Sequence, residues 1–552
     1  MNENTLVLVA TQNIRLRGYR GRHNASWAYA FNIKENKIFP LLTQGKGIYE
    51  GQVNLGKVVG VSPDRKSVYM PAYFTEGAYG LFRVSLEKEK KPRRLVRGTH
   101  DTRDYFMNTK GEIIARERMN NHKNLHIIEA RVDDEWVEIF REKTEIPTKS
   151  FNGVTSDQAY LVFSSYMGNT GRLAYYKMAI AEGTIEGPIF SQENKDVESV
   201  LLDLNRTVYG VRYSGFTPSY EFFDNKLNAR MRGMTQALPD NYISISDFTP
   251  DWSSIMFYID GQTSSGDYFL YRGGKLNYIS SLRPDIPEDA VNPVEEYQYK
   301  TRDGYSIPTL LTLPKAAVQK KLPAIVLPHG GPESYDDKRF DYLAQYFASQ
   351  GYLVIQPQFR GSDGFGLKHR NLGHGQWGRR MQDNLTDALT SLVSEGTVDK
   401  DRVCIVGASY GGYAALAGAA YTPDLYKCAV SINGVADVEA MLKQEKRDYG
   451  SDHWVVSYWK KLLEDGEFSQ QHLAKISPIN YVKNITTPVL LIHGTRDKVV
   501  PFSQSEDFHE EMEDAGKEVK LVELKRGDHH LSNADNRMEA MKAIHEFVKK
   551  HI

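Results

Sequence analysis

Short apolar segments alternate with polar turns throughout the first half of the chain. From residue 6 to about residue 282, runs rich in Val, Ile, Tyr and Phe are separated by Gly, Asn, Asp and Pro. Alternation with a period of two, interrupted by turn-forming residues, is typical of β-strands. The pattern therefore predicts a first half made of β-sheet without helices.

A polar tight turn followed by an apolar strand recurs at regular distances in this half. The turns are marked by Asp64, Lys110, Asp157, Asn205 and Asp251, which lie 46, 47, 48 and 46 residues apart. This period is close to the length of a four-stranded blade, so it predicts a β-propeller. A pair of irregular β-sandwiches is the alternative fold.

A hairpin near the start of the chain predicts one further blade. Its two strands are expected at residues 27–33 and 38–41. Together with the five repeats it gives six blades, and a seventh stays open because the first blade is the least regular. We assign residues 1–283 to the propeller.

The second half changes to an alternation of strands and helices. Residues 284–294, which are rich in proline and acidic residues, predict a linker. Beyond it, apolar strand-like runs alternate with helical runs, as in a doubly wound α/β sheet. We assign residues 295–552 to this second domain.

The most informative stretch of the second domain is residues 403–415. A strand-like run enters Gly407-Ala-Ser409-Tyr-Gly411, and an alanine-rich run that predicts a helix follows. Gly-x-Ser-x-Gly between a strand and a helix is the nucleophile elbow of α/β-hydrolases. The elbow holds its serine in a strained backbone conformation, and glycines two residues away avoid collisions across the bend. The sequence thus predicts an α/β-hydrolase domain with Ser409 as the nucleophile.

A serine nucleophile needs a histidine base and an acid that orients it, and in this fold both follow the serine after later strands. Asp497 lies 88 residues after Ser409 and follows the strand expected at 489–494. His529 lies 32 residues further on and follows the last strand. Asp528 is a poorer acid because it is adjacent to the ring, whereas His530 is an equal candidate for the base on the residues alone.

Two backbone N–H groups are expected to bind the oxyanion. One should come from the loop Leu327–Glu333 (Leu-Pro-His-Gly-Gly-Pro-Glu), where Gly330 and Gly331 allow the backbone to approach a substrate carbonyl. The other is the N–H of Tyr410, directly after the nucleophile. A plain tight turn is the alternative for the glycine loop.

Composition and charge narrow the functional classes. The 552 residues are 41% hydrophobic and 25% charged with a net charge of −1, which gives no long-range field to attract nucleic acid or an anionic membrane. The apolar run at the start is too short for a signal peptide, and no stretch approaches the ~18 apolar residues of a membrane span. We expect a soluble protein, with the cytoplasm preferred to the periplasm although the compartment stays open. Cys404 and Cys428 are expected to be buried free thiols, although adjacent strands could bring them close.

Six motifs of the second half carry a family resemblance. They are residues 329–332 (HGGP), 360–366 (RGSDGFG), 375–378 (GQWG), 407–413 (GASYGGY), 493–501 (HGTRDKVVP) and 528–532 (DHHLS). Together they resemble the prolyl oligopeptidase family of serine peptidases, and within it the acylaminoacyl-peptidase and dipeptidyl-aminopeptidase branch. The propeller resembles this family in architecture more than in sequence.

The resemblance implies roles for two residues that the spacing leaves open. In this branch the catalytic histidine precedes x-Leu-Ser, which selects His529, and the second of the paired glycines gives the oxyanion N–H, which selects Gly331. Relatives usually have seven blades, whereas six are countable here. No glutamate pair on the propeller resembles the pair with which dipeptidyl peptidases hold a substrate amine.

The expected function is that of a serine peptidase that hydrolyses short peptides, with the propeller restricting substrate size. Trp377, Val499 and Val500 are candidates to line an apolar substrate pocket with Tyr410. Arg360 is a candidate to bind a main-chain carbonyl or a carboxylate, with a structural ion pair as its alternative. No metal or organic cofactor is needed. The expected partners are oligopeptide substrates, without nucleic acid or membrane, and a homo-oligomer is left open. A carboxylesterase with the same triad and a non-catalytic propeller scaffold are the alternative functions.

Overall fold

A computed structural model describes residues 4–16, 23–45, 47–239, 241–315, 320–463 and 469–552. Within these residues the strands form six small sheets and one sheet of eight strands. The predicted fold class is confirmed, because a six-bladed β-propeller precedes an α/β-hydrolase domain. No seventh blade is present among these residues.

The blades follow one another along the chain. Blades 1 to 3 contain, in order, β1 (Thr5–Ile14), β2 (His23–Asn32), β3 (Lys37–Pro40) and β4 (Asn54–Leu55); β5 (Gly60–Val61), β6 (Ser67–Thr75), β7 (Ala78–Ser85) and β8 (Arg93–Arg97); and β9 (Thr102–Met107), β10 (Ile113–Asn120), β11 (Leu125–Val132) and β12 (Glu135–Lys143). Blades 4 to 6 contain β13 (Ser150–Val154), β14 (Tyr160–Ser165), β15 (Ala174–Ala179) and β16 (Ile185–Phe190); β17 (Val197–Leu202), β18 (Val208–Tyr213) and β19 (Ser219–Phe222); and β20 (Asn241–Phe248), β21 (Ser254–Gly261), β22 (Ser264–Arg272) and β23 (Lys275–Ser281).

The repeated polar turns have a common structural position. Each of the five markers lies between the first and second strand of blades 2 to 6. In three of these turns the marker is an aspartate whose Oδ1 accepts the backbone N–H two residues later, at Asp64, Asp157 and Asp251. This hydrogen bond closes a tight turn without help from a neighbouring strand, which explains why the motif recurs with the blade period.

Blade 5 corrects the prediction that the first half lacks helices. Its three strands are followed by α1 (Asn225–Ala237), whose first turn is capped by the side chain of Asp224. The helix buries Leu227, Met231 and Met234 against the apolar core of blade 6. Only three buried positions mark this helix in an otherwise polar segment, so its helical period was hidden among the surrounding strands.

Strands and helices alternate in the second domain. The segment that connects it to the propeller contains a short 3-10 helix, Glu288–Ala290. Its strands are β24 (Val294–Lys300), β25 (Ser306–Thr312), β26 (Leu322–Val326), β27 (Leu353–Pro357), β28 (Val398–Ala408), β29 (Cys428–Ile432), β30 (Val489–Gly494) and β31 (Val519–Leu524). Its helices are α2 (Tyr342–Ser349), α3 (Leu367–Asn371), α4 (Arg380–Ser394), α5 (Tyr410–Tyr421), α6 (Val438–Tyr449), α7 (Trp454–Leu463), α8 (Gln470–Lys475), α9 (Ser503–Asp514) and α10 (Ala534–His551), and a second 3-10 helix spans Pro478–Asn484.

The eight strands form one sheet in the order β24-β25-β27-β26-β28-β29-β30-β31. The first two are antiparallel and the remaining six are parallel to one another. Consecutive residues of a strand face opposite sides, so Ile405 packs in the layer of α4, α5 and α9, whereas Val406 packs in the layer of α2 and α10. The parallel strands end at one edge, which brings the loops after β26, β28, β30 and β31 together.

The two cysteines correct a second expectation. Cys404 on β28 and Cys428 on β29 are direct neighbours in the strand register, with their Cα atoms 4.7 Å apart, and they form a disulfide. The expectation of free thiols is therefore wrong. The adjacency of the two strands, which the sequence left open, is what brings the sulfur atoms together.

The propeller contacts the loops at the edge of the hydrolase sheet. Three hydrogen bonds that join the domains are Ser214 Oγ to the carbonyl of Gly364 (2.8 Å), the Gly366 N–H to Asp196 Oδ2 (2.7 Å) and the Leu367 N–H to the carbonyl of Gly171 (2.8 Å). These bonds place the propeller against the edge that carries the elbow. None of the helices described here is both long and apolar enough to span a bilayer.

Candidate active site

Ser409 occupies the sharp turn between β28 and α5. Its backbone has φ +58° and ψ −120°, in the left-handed region that residues with a side chain rarely adopt. A Cβ atom at Gly407 would lie 2.2 Å from the carbonyl oxygen of Gly411, so the first glycine is required by the bend itself. A Cβ atom at Gly411 would lie 2.2 Å from the carbonyl oxygen of Pro328, so the second is required by the loop after β26.

Three side chains meet above this turn. Nε2 of His529 lies 3.1 Å from Oγ of Ser409, and Nδ1 of the same ring lies 2.6 Å from Oδ2 of Asp497. A carboxylate can only accept a hydrogen bond, so the proton of the neutral ring is on Nδ1. Nε2 is then free to accept the hydroxyl proton of Ser409.

The carboxylate of Asp497 is fixed on both of its oxygens. Its side chain is 0% exposed, and Oδ1 accepts the backbone N–H groups of Val499 (2.8 Å) and Val500 (2.9 Å). The side chain of Val500 is packed in the apolar core, while Val499 is 52% exposed. Both valines therefore contact the acid through their backbone, and a contact with substrate stays a prediction.

The rival residues face elsewhere. Oδ1 of Asp528 accepts the N–H of Ser532 at 2.9 Å. The ring of His530 is exposed, with its centroid 5.4 Å from that of His529. The structure thus brings His529, rather than His530, to Ser409 and Asp497.

A second histidine, His493 at the end of β30, supports the loop of the acid. Its buried ring is hydrogen-bonded through Nδ1 to Ser505 Oγ (2.7 Å) and through Nε2 to the carbonyl of Val500 (3.0 Å). Burial holds its pKa below the ordinary value for histidine, which keeps the ring neutral 3.7 Å from Asp497. Sequence reasoning did not assign this supporting contact, because it depends on the path of the loop after β30.

The loop after β26 lies against the nucleophile. A Cβ atom at Gly330 would be 3.5 Å from Cβ of Ser409, and Gly331 has φ +123°, which only glycine adopts without strain. The N–H of Tyr410 belongs to the first residue of α5, where no intrahelical acceptor exists. Among the residues described, no protein acceptor is assigned to this N–H or to that of Gly331.

His329 supports the same loop through its side chain. Its buried ring stacks on Phe359, with centroids 4.3 Å apart, and Nε2 lies 2.8 Å from Oγ of Ser362. Burial lowers the pKa of His329 to about 4, so the ring is neutral at physiological pH. A histidine directly before paired glycines was the available sequence signal, and sequence reasoning did not use it.

Trp377 and Tyr410 belong to a packed aromatic cluster beside the elbow. Their ring centroids are 4.6 Å apart, and both side chains are buried. Tyr410 also lies 5.3 Å from Phe359, and burial raises its pKa well above the ordinary value for tyrosine. The cluster packs beside the elbow that carries Ser409. A direct contact of these rings with substrate stays a prediction.

Arg360 takes part in a buried ion pair. Its buried guanidinium forms an ion pair with Asp303, with N–O distances of 2.6 Å and 2.8 Å, and covers the ring of Tyr305 at 4.8 Å. The structural ion pair, which the sequence kept as the alternative, is present, and a role of Arg360 in substrate binding stays a prediction.

Ser409, His529 and Asp497 form a hydrogen-bonded row at the edge of a parallel sheet, near the N–H groups of Gly331 and Tyr410. This arrangement defines the class of α/β-hydrolases. Across the described ranges, no group of three or more His, Cys, Asp or Glu residues is arranged to hold a metal ion. Residues 338–552 match the prolyl oligopeptidase family. The second domain thus matches the prolyl oligopeptidase family over most of its length, which confirms the resemblance seen in its motifs.

Curated relatives are similar over part of their length. Dipeptidyl aminopeptidase BIII of Pseudoxanthomonas mexicana is 26% identical over 422 residues, which cover 73% of this chain and 59% of that protein. The acylamino-acid-releasing enzyme of Rattus norvegicus is 27% identical over 256 residues, which cover 46% of this chain and 35% of that enzyme. The chain thus spans less than two thirds of the length of these relatives.

Solved structures share the complete architecture. A puromycin-hydrolyzing peptidase of Mycobacterium tuberculosis superposes with a TM-score of 0.75 at 17% identity, covering 100% of this chain and 86% of that one. The acylaminoacyl peptidase of Pyrococcus horikoshii gives a TM-score of 0.70 at 17% identity, covering 100% and 94%. At these identities the likeness concerns the fold alone.

Proposed function

We propose that this chain hydrolyses short peptides as a serine peptidase, with Ser409 as nucleophile, His529 as general base and Asp497 as the acid that orients the ring. The observation that carries the proposal is the continuous hydrogen-bonded row of these side chains, with distances of 3.1 Å and 2.6 Å. The N–H groups of Gly331 and Tyr410 form the oxyanion hole. The first follows Gly330, where an added Cβ would lie 3.5 Å from Cβ of Ser409, and the second belongs to the residue directly after the nucleophile.

Acylation is the first half of the reaction. Oγ of Ser409 attacks the carbonyl carbon of the scissile bond while its proton passes to Nε2 of His529. The former carbonyl oxygen becomes an oxyanion that accepts hydrogen bonds from the two N–H groups. The C–N bond then breaks, the proton on Nε2 moves to the leaving nitrogen, and the acyl group remains as an ester on Ser409.

Deacylation repeats these steps with water. A water molecule gives a proton to Nε2 of His529 while its oxygen attacks the ester carbonyl. When the tetrahedral intermediate collapses, the ester C–O bond breaks and Oγ of Ser409 takes the proton back. Asp497 stays ionised throughout and stabilises the imidazolium that forms in each half.

Short peptides are the proposed substrate class because the propeller contacts the loops at the edge of the sheet that carries the elbow. A cavity of about 730 Å³ between the domains is lined by Tyr49, Tyr73 and Tyr79 of the propeller and by His453 and Trp454 of the hydrolase. Its lining does not include Ser409, Asp497 or His529, and its volume is in the range of sites that bind small molecules. The names of the relatives, a dipeptidyl aminopeptidase and an acylamino-acid-releasing enzyme, support the same class.

Labelling with a fluorophosphonate probe tests the nucleophile. The wild-type chain should be labelled at Ser409 and lose activity, whereas Ser409→Ala should be unlabelled and inactive. Ser394→Ala is the matched control, because Ser394 is an exposed residue of α4 that bonds its own helix. A Ser409→Ala variant that still cleaves peptides at the wild-type rate would exclude the proposed mechanism.

Substrate class is tested by a panel of chromogenic compounds. Peptide p-nitroanilides with free and blocked N-termini should be cleaved, and the same sequence within a folded protein should not be. Turnover of p-nitrophenyl esters without any turnover of peptide amides would instead support a carboxylesterase. Cleavage of the folded protein at the rate of the short peptide would exclude the size restriction.

A further inference from the structure

The segment that follows the proposed oxyanion glycine is bound to the propeller. Four residues after Gly331, the hydroxyl of Tyr335 donates a hydrogen bond to Oε2 of Glu198 at 2.8 Å. Glu198 lies on β17 in blade 5, so this bond joins the two domains. Among the interdomain contacts of the described residues, it is the one closest in sequence to Gly331.

Glu198 is a fixed acceptor rather than a mobile surface residue. Arg212 on β18 contacts both of its oxygens, Nη2 to Oε1 at 2.5 Å and Nε to Oε2 at 3.1 Å. A guanidinium that binds a carboxylate through two parallel bonds fixes its orientation as well as its position. The blade therefore presents Glu198 to Tyr335 in one geometry.

Further contacts hold the same segment on blades 5 and 6. The N–H of Lys338 donates to the carbonyl of Phe216 at 2.9 Å, and the guanidinium of Arg339 lies 5.4 Å from the ring centroid of Tyr242. The N–H of Phe340 donates to Oδ2 of Asp260 at 3.3 Å. Four residues between 335 and 340 thus contact the propeller, although they belong to the loop of the hydrolase that follows β26.

The hydrolase holds the same loop at Glu333 and Ser334 and again at Asp336, whose N–H donates to Oε1 of Gln358 at 2.8 Å. Glu333 accepts a hydrogen bond from Tyr458 (3.0 Å) and lies 3.1 Å from His374, and the carbonyl of Ser334 accepts the N–H of Asp363 (3.0 Å). Gly331 itself has no side chain through which it could be fixed. The position of its N–H is therefore set by the neighbouring residues, and these are anchored on both domains.

We propose that blade 5 positions the oxyanion N–H of Gly331 through the Tyr335–Glu198 hydrogen bond. The propeller then contributes to the chemical step and does not only restrict access to the active site. Tyr335 and Glu198 are positioning residues, since neither touches the substrate in this proposal. An oxyanion donor works only within about 2.7–3.1 Å of the developing charge, so a small shift of the loop weakens it. This inference rests on the proposed function.

Tyr335→Phe in the full chain tests the inference. The substitution removes one hydroxyl and keeps the ring, whose centroid lies 5.9 Å from that of Phe365, while Glu198 keeps its bond to Arg212. We expect kcat for a peptide p-nitroanilide and for a p-nitrophenyl ester to fall about tenfold, with KM within about twofold of wild type, because a misplaced donor weakens transition-state binding alone. The Ki of a peptide trifluoromethyl ketone, which forms a tetrahedral adduct with the serine, should rise by the same factor.

A double-mutant cycle with Glu198→Ala measures whether the two residues act together. Glu198→Ala leaves Arg212 without its partner, but that cost is present in both the single and the double variant and therefore cancels. We expect the double variant to have the kcat of the single variants. A kcat loss equal to the product of the two single losses would overturn the coupling.

Gln262→Ala is the matched control for loss of an interdomain hydrogen bond. Nε2 of Gln262 in blade 6 donates to the carbonyl of Val294 at 2.8 Å, far in sequence from the oxyanion loop. This variant should keep the wild-type kcat. The inference is overturned if Tyr335→Phe keeps its kcat, if only its KM changes, or if Gln262→Ala loses as much. Ser409→Ala, assayed in parallel, separates the two proposals: residual peptidase activity there would reject the triad, whatever Tyr335→Phe shows.

Discussion

Asp497 shows what a single residue of this site requires. One carboxylate oxygen holds His529, and the other accepts two backbone N–H groups, so the side chain has no freedom to rotate. Sequence reasoning could select Asp497, because an aspartate after a late buried strand has a defined place in this fold. It could not find the two N–H donors or the contact of His493, because both depend on the path of a loop.

Replacing Asp497 and Asp528 in turn should show which of the two aspartates orients His529. Asp497→Asn keeps the shape of the side chain but can present an N–H to Nδ1 of His529, which then favours the wrong tautomer. We expect kcat to fall roughly ten-thousandfold, with little change in KM. The measurement is steady-state hydrolysis of a peptide p-nitroanilide.

Asp528→Asn is the control for that measurement. Asp528 bonds the backbone of Ser532, so this variant should stay within about threefold of the wild-type kcat. If Asp528→Asn were the inactive variant and Asp497→Asn the active one, the acid of the proposed triad would be misassigned.

Structural elements could be predicted from the sequence where a pattern was repeated or where the backbone geometry required particular residues. The five polar turns predicted five blades because they recur at a regular distance, and in three of them the marker aspartate closes the turn. The elbow was predicted because the bend requires its two glycines. Helix α1 was missed because its buried face consists of three residues spaced among polar ones. Pairing of the cysteines was left open because it depends on which strands are adjacent, and strand order is a property of the sheet.

The disulfide makes a prediction about the strands that it joins. Cys404 and Cys428 are 24 residues apart, and closing a loop of this length stabilises the folded chain by about 3 kcal/mol through the unfolded state. Cys404→Ser with Cys428→Ser should therefore lower Tm. Without reductant, iodoacetamide should add no label to the denatured wild-type chain, and after reduction it should add two.

Labelling of both cysteines without reductant would contradict the pairing. A Tm of the double serine variant equal to that of wild type would contradict its contribution to stability. Disulfides persist mainly in oxidising compartments, so the preference for the cytoplasm over the periplasm gains no support from this pair.

The arrangement of the two domains is the part that the sequence could not predict. The domains meet through residues that are far apart in the chain, such as Glu198 with Tyr335 and Asp260 with Phe340. These four residues lie in no motif, although Gly364 and Gly366 of the motif at 360–366 also bond to the propeller. A local pattern does not predict its partner in the other domain, because that contact depends on complementary shape and charge. The contacts described here join blades 4 to 6 to the loops around the elbow, whereas the cavity of about 730 Å³ lies beside blades 1 to 3.

A buried acid at this interface predicts how the stability of the molecule depends on pH. Burial, with the nearby charge of Asp337, raises the pKa of Asp260 from 3.8 to about 6. The folded chain therefore holds this proton more tightly than the unfolded chain does, and stability falls as pH rises from about 4 to above 6. Two pKa units correspond to about 3 kcal/mol.

Asp260→Asn keeps an oxygen to accept the N–H of Phe340 and removes the charge, so at pH 8 it should raise Tm by a few degrees, whereas at pH 4 it should match wild type. Thermal unfolding followed across this range measures the difference. Asp64→Asn is the contrasting control, because hydrogen bonds from Ser62 and the backbone of Lys66 hold the pKa of Asp64 below its ordinary value, so its loss should not stabilise the chain at pH 8. A Tm difference for Asp260→Asn that stays constant from pH 4 to pH 8 would show that the effect of Asp260 is one of packing rather than of charge.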